Sequence, residues 1–197
     1  AAADGSTLEL TADPAGPLVA QVFKTRMDPF VQKISYLRVF TGMLHKDSTL
    51  PMVGARKPIK IGPLFQVQAD ETQPIDEAGP GMMVAVTKME ELQTGSTLGE
   101  HSLPPIVFPT PMVGLAVTPK SRGDEAKLSG ALNKIVNEDQ TFRLDRDAQT
   151  KELVMTGMSE LHLQVVQERL KRRDRVEVET KEPKIPYRET VQAKAEG

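Results

Sequence analysis

The chain is 197 residues long, 39% hydrophobic and 26% charged, a globular composition sized for one large or two small domains. Its formal net charge of -2 supplies no general basic field, and aromatics at 4% are too scarce for a broad base-stacking platform, so contact with nucleic acid has to come from local patches. The absence of cysteine excludes disulfides and thiolate metal sites and suits a reducing cytoplasm.

The opening "AAADGSTLELTADPAG" carries no apolar run preceded by positive charge, so no signal peptide is expected. No apolar run approaches the ~20 residues that span a bilayer, and a cytoplasmic location is the expectation. From there the first hundred residues punctuate as β structure. "PLVAQVFKTRM" (17–27) and "QKISYLRVFTG" (32–42) are β-branched and alternating, with "MDPF" as a turn between them. "HKDSTL", "PIKIGPLFQVQ" and "GMMVAVTK" follow as further strands between Gly, Pro and Asp clusters. Six or so strands with no helical period predict a small closed β-barrel.

"LGEHSLPPIVFPTP" (98–111) then concentrates prolines at Pro104, Pro105, Pro109 and Pro111. Each fixes its own φ and biases its predecessor to extended geometry, so this is a stiff domain joint. Beyond it the period changes. "MVGLAVTP" reads as a strand, "SRGDEAKLSGALNKIVNED" as a helix, "TFRLDRD" and "KELVMTG" as a hairpin, "TGMSELHLQVVQERLKRR" as a second helix and "DRVEVET" as a closing strand. Strand, helix, strand, strand, helix, strand is the split βαβ or ferredoxin-like plan. The boundaries expected are 1–106 for the barrel, 107–182 for the ferredoxin-like domain and 183–197 for a stub with no core of its own.

In the second helix, a turn of 100° per residue puts Met158, Leu161 and Val165 on one shoulder of the apolar face and Leu163, Val166 and Leu170 on the other. His162 falls in the gap, and Arg169 projects within about 20° of it. The ring is either a hydrogen-bonded core histidine or an interface residue; the arc of roughly 200° exceeds what one sheet covers, which supports the second reading and makes Leu161 a core residue. Lys171, Arg172, Arg173 and Arg175 crowd the helix C-terminus. One helix end favours positive charge but does not need four cations in five positions, so phosphate contacts are a competing role.

Other chemistry is absent from the pattern. No G-x-x-x-x-G-K-[ST] loop and no G-x-S-x-G elbow occurs. His45, His101 and His162 share no metal-binding spacing, so no metal site is expected. "RGD" at 122–124 reads as a helix start with Asp124 as cap or first-turn acid.

With the motifs assembled, "TGMSELHLQVVQERLKRR" resembles the G-M-G-E-L-H-L helix in the third domain of elongation factor G, the translational GTPase that moves tRNA and mRNA through the ribosome. "PTPMVGLAVTPKSRGDEAKLSGALNKIVNEDQTFRLDRD" resembles the rest of that domain, "DPFVQKISYLRVFTGMLHKDSTL" and "LQTGSTL" the second-domain barrel, and "PKIPYRETV" the start of the fourth domain. Ser159 stands for the family's second Gly, Gln140 for the Pro of E-D-P-T-F-R, Gln32 for a common Gly, and "DAQTKELVM" lacks the usual T-G-Q turn. These departures resemble the divergent elongation-factor-G-like paralogues.

The resemblance implies a non-catalytic piece of a ribosome-binding GTPase. Its barrel would dock on small-subunit rRNA, and its third domain would couple the GTPase state to translocation. GTP and Mg²⁺ would belong to a GTPase domain preceding Ala1, and most of the fourth domain and all of the fifth would follow Gly197. Pro109, Pro111, His162, Val166 and Arg169 match positions facing the GTPase domain around the fusidic-acid pocket. The rivals are a tetracycline-resistance ribosomal protection protein or another translational GTPase, an acylphosphatase-like hydrolase, and a free-standing RNA-binding module. The hydrolase lacks its anion loop in "GLAVTPKSRGD", and the RNA-binding module lacks its aromatic motifs in "MVGLAVTP" and "KELVMTG".

Overall fold

The computed structural model describes residues 9–69 and 71–187. They divide into two compact units, the first running to Phe108 and taking in Asn137–Gln140, the second comprising Pro109–Val136 and the chain from Thr141 onward.

The first unit is a β-barrel domain. Strands β1 (Val19–Asp28) and β2 (Gln32–Thr41) form its long hairpin, followed by β3 (Leu44–His45), β4 (Thr49–Leu50), β5 (Ile59–Lys60), β6 (Leu64–Gln68), β7 (Glu71–Ile75), β8 (Glu77–Ala78), β9 (Met83–Thr87) and β10 (Thr97–Gly99). The main sheet runs β10-β1-β2-β9-β6-β7. The sequence suggested a small closed barrel, and the strands form this sheet with further short pieces beside it. Two ribbons, β3 with β8 and β4 with β5, and a bridge from Met52 to Leu98 supply them. The reason is local: "HKDSTL" breaks at Asp47, whose φ of 59° is left-handed, so one expected strand becomes two short ones. β7 lay hidden in a polar cluster because only Ile75 is even half-buried; it is an edge strand, which also accommodates Pro74.

Alternation on β2 turns Ser35, Leu37, Val39 and Thr41 inward. With Val22, Leu44, Ile61, Leu64, Val86 and Leu98 they line a core whose apolar members are all aliphatic. Lys33 also points inward, at 2% exposure. Its ammonium donates to the Glu90 carbonyl at 2.9 Å with the Glu90 carboxylate 4.0 Å away, and burial lowers its pKa.

The second unit has β11 (Val113–Pro119), a 3-10 turn at Arg122–Asp124 leading into α1 (Glu125–Glu138), β12 (Arg143–Arg146), β13 (Leu153–Gly157), α2 (Glu160–Arg169) and β14 (Val178–Lys181). Its sheet order is β12-β13-β11-β14 with every neighbouring pair antiparallel. This is the split βαβ arrangement: β13 lies between the two strands that α1 connects. Leu128, Leu132 and Ile135 of α1 and Leu163 and Val166 of α2 pack with Val117, Phe142 and Met155 into one core. "RGD" is a helix lead-in, as expected, although Ser121 makes no side-chain cap.

After β14 the chain is held further than a bare stub would be. Glu152 pairs with Lys181 at 2.7 Å and accepts the Lys184 amide at 2.9 Å. Those two bonds, in that order of weight, lower the Glu152 pKa. Beyond them Ile185 and Tyr187 are exposed, and the end of the expected strand "PKIPYRETV" lies outside the described residues.

Two outcomes follow. Gln32 has φ of 66° at the close of the Asp28–Gln32 turn, the left-handed geometry that glycine adopts without strain. Gln32→Gly should therefore stabilise the chain by about 0.5–1 kcal/mol in chemical denaturation, the relieved strain outweighing glycine's added chain entropy. At Glu152 the folded pKa is depressed, so its contribution is present above the unfolded carboxylate pKa and is lost as pH falls through the folded one. The protection factor of the Lys184 amide should hold at neutral pH and drop across that acidic window, whereas in Glu152→Gln, whose amide oxygen accepts but does not titrate, it should be lower and independent of pH.

Candidate functional site

The α2 helix is built around its N-terminus. Ser159 is extended (φ -159°, ψ 168°) and its Oγ accepts the His162 amide at 3.1 Å, which makes it the N-cap. His162 reaches back: its Nδ1 accepts the Met158 amide at 3.1 Å, which calls for a neutral ring with its proton on Nε2. The ring meets Phe142 edge-on, with centroids 6.3 Å apart. The pair reproduces the reciprocity of a capping box, with the third helical side chain serving the residue before the cap. Gly157 makes this possible. A Cβ there would stand 2.8 Å from Leu163 Cδ2 and 3.0 Å from His162 Nδ1.

The rotation of α2 shows in its burial. Leu163, Val166 and Leu170 are buried in the core, whereas Leu161 is 69% exposed, Val165 44% and Met158 39%. The expectation that Leu161 is a core residue is thus corrected: the over-wide arc is divided, one shoulder buried and the other outward. Val166, expected at an interface, lies in the core, and His162 is half-buried. Arg169 is exposed, and it joins Leu161, Gln164, Val165, Glu168 and Arg172 around a shallow depression. Met112, missed by the sequence reading, extends the outward strip. It is 86% exposed, and its amide bonds to Gly157 O, beside Met158. Pro111 is buried and Pro109 exposed.

The cationic helix end has a different character. Leu170–Asp174 form a π-helical turn closed by Arg175 in the left-handed region. Arg172 pairs with Glu168 at 3.1 Å, Lys171 with Glu177 at 3.8 Å and Arg173 with Asp174 at 3.1 Å. Lys120, and then Lys171, lower the pKa of Glu177. Arg175 forms no salt bridge among the described residues, and its carbonyl accepts the Lys127 ammonium. Among the described residues no group of three or more histidine or acidic side chains is placed to hold a metal. No described helix is long and apolar enough to cross a membrane.

Known proteins match both units in order. Residues 17–101 match the family described as Elongation factor G domain 2, and residues 108–182 that described as Elongation Factor G, domain III. The chain belongs to the elongation factor G family. A crystal structure of a protein from Thermus thermophilus is similar at 37% identity and a TM-score of 0.75, over 88% of this chain and 27% of that one.

Within this elongation factor G third domain, the departures from the family motif have local explanations. Ser159, in place of the second glycine, supplies a capping oxygen that glycine lacks. Asp147, in place of a glycine-based turn, accepts the Gln149 and Thr150 amides at 2.8 and 2.7 Å, and the Thr150 bond, then the Gln149 bond, lowers its pKa. Lys151 takes the left-handed position. Nothing in the structure explains Gln140.

An alanine series should separate the roles along α2. Leu163→Ala should cost ~2–5 kcal/mol and Leu161→Ala less than about 0.5 kcal/mol. His162→Ala should fall between them at about 1 kcal/mol, for one cap bond and one ring contact. Ser159→Ala should cost ~1 kcal/mol and Ser159→Gly only a few tenths. Urea denaturation of the single variants decides it; a Leu161→Ala loss equal to that of Leu163→Ala would contradict the rotation described.

Proposed function

We propose that this chain is the ribosome-docking and coupling part of an elongation-factor-G-type translational GTPase, its barrel resting on small-subunit rRNA and its third domain relaying the GTPase state to translocation. The observation that carries the reading is the outward apolar strip on α2. Leu161 and Val165 line one depression with Arg169 on the helix that carries the family motif, and Met158 and Met112, before the helix and before β11, are exposed as well. Single exposed apolar residues are ordinary, whereas a continuous row marks an interface. Its partner in this reading is the GTPase domain of the same protein. Nucleotide-dependent ordering of switch loops would press on this strip and bias the domain arrangement.

The chain itself then binds no nucleotide or Mg²⁺, because the groups that cradle phosphates sit in the partner domain. The whole protein would be the ribosome-stimulated GTPase, acting in the cytoplasm. The cations of the helix end are mostly engaged in ion pairs, which leaves Arg175 as a peripheral phosphate contact and gives the main anchoring to the barrel. In this reading residues 1–106 and 107–182 are independent folding units, and 183–197 begins the next domain.

Separate expression tests the assignment. Residues 1–106 should unfold cooperatively and pellet with purified small ribosomal subunits, residues 107–197 should unfold cooperatively and not pellet, and neither should bind a non-hydrolysable GTP analogue in isothermal titration. Saturable micromolar nucleotide binding, or failure of the barrel to associate with small subunits, would overturn the reading.

A further inference from the structure

The sheet of the second unit ends in a strand that pairs on one side alone. β14 closes the order β12-β13-β11-β14, and among the described residues its only ladder is with β11. The Lys120 amide donates to the Glu177 carbonyl at 3.0 Å just before the strand begins. Peptide groups alternate in direction along an antiparallel strand, so Glu177, Glu179 and Lys181 turn theirs toward β11. Val178 and Thr180, and Glu182 one step past the strand, turn theirs outward. Pro119, which has no N–H to give, stands opposite Val178, as this phase requires. The chain then leaves β14 over a face of the sheet rather than along its edge: a Cβ on Gly114 of β11 would meet Pro183 Cγ at 3.9 Å, and the Lys184 amide reaches Glu152.

The side chains of this edge are complementary to themselves. Glu179 and Lys181 are exposed and project from the same face of the strand. Lys181 meets Glu152, while Glu179 forms no salt bridge among the described residues. Two copies of β14 laid antiparallel must match outward peptide groups with outward peptide groups, which leaves few registers. Thr180 opposite Thr180 sets Glu179 across from Lys181 in both directions. The register on one side of it puts two Glu179 carboxylates together at its centre, with Glu177 then across from Lys181. The register on the other side puts two Lys181 ammoniums together. Opposite charges across a pair stabilise it and like charges oppose it, so the register centred on Thr180 is the one without a clash.

The ground beside the strand has the same symmetry. A trench runs between α2 and β14. Glu160, Gln164, Thr180 and Glu182 line one end, and Lys120, Lys171, Glu177 and Val178 the other. Glu160 and Glu182 form no salt bridge among the described residues, so the first end is acidic. At the second, Lys120 and Lys171 share the one carboxylate of Glu177, and Glu168 beside them is taken by Arg172. A two-fold axis at Thr180 sets the acidic end of each copy against the basic end of the other.

We propose that β14 is a self-association edge, through which two copies of this chain pair antiparallel about Thr180 and join their four-stranded sheets into one. An open edge strand is a template for another strand, and charges on it normally block such pairing. Here the charges block the shifted registers and admit the centred one. The contact is isologous, so it closes at two copies and does not propagate into fibres. It is also small, which makes the association weak and concentration-dependent. It goes beyond the ribosome-docking reading and uses neither the barrel nor the Leu161 strip.

Sedimentation equilibrium of the full chain over about 10 to 500 µM tests the pairing. The weight-average mass should rise from the monomer value toward twice that value. Thr180→Pro removes an outward N–H without touching the ladder to β11, and it should weaken association by about tenfold or more. Glu179→Lys and Lys181→Glu each set like charges across the pair and should do the same, with thermal unfolding of every variant as the control for folding. An equimolar mixture of Glu179→Lys and Lys181→Glu chains should recover association, because every charge pair across the two chains is again of opposite sign. That mixture decides the question even where Thr180→Pro fails to fold. A parent chain that stays monomeric throughout leaves the edge to a chain of another kind and overturns the pairing. Association kept in Thr180→Pro puts the contact elsewhere, on β12 or the Leu161 strip, and overturns it as well. Association lost in the single charge variants and not recovered in their mixture overturns the register, and the proposal with it.

Discussion

The third domain depends on how one helix end is satisfied. The first amides of an isolated helix have no partners within it, and a side chain that caps one contributes about 1 kcal/mol. Here Ser159 Oγ takes one, and His162 Nδ1 takes the amide just before the cap. The accepting imidazole reaches back over Gly157 and rests against Phe142, contacts that fit the rotation the helix adopts. That rotation turns Leu163, Val166 and Leu170 into the core and leaves Leu161 and Val165 outside. Burial of Leu163, Val166 and Leu170 contributes most to that rotation, and the cap adds a smaller share in the same direction.

Ion pairing decides how much of a run of cations is left to act on a partner. The helix end crowds its cations, yet Arg172, Lys171 and Arg173 each meet a carboxylate within 4.0 Å. Such exposed pairs are individually weak, but together they remove the uncompensated field that a phosphate would feel. On the barrel, Lys24, Arg26 and Arg38 are spread over two strands and attract no notice as a run. There β1 ends in Asp28, whose carboxyl is coupled to Arg26, and the Glu138 carboxylate accepts the Met27 amide at 2.7 Å. Cation density along a sequence therefore overstates the free positive charge until its ion pairs are counted.

Much of the fold was legible because its signals are local. The 3.6-residue period of α1, the alternation of β1 and β2 and the order of elements in the second unit are each written in contiguous residues. The closing of the barrel was not. Its ribbons are two residues long, and β7 is an edge strand with almost no buried residue, so neither leaves a periodic trace. The inward Lys33 shows the same limit from the other side: a charge in a core phase is tolerated because a carbonyl from a distant loop receives it, and no nearby residue reports that.

The candidate site was legible in kind and misread in detail. An apolar arc of roughly 200° does imply more than one neighbour, but amphipathic geometry is symmetric about the middle of the arc and cannot tell which shoulder faces the sheet. What breaks the symmetry is chemistry at a few positions: a small residue at Gly157, a hydroxyl at Ser159, and an acceptor at His162 set one turn after Met158. In a sequence these residues look like punctuation and an anomaly. In the structure they form the cap that goes with burial of the Leu163 shoulder and exposure of the Leu161 shoulder.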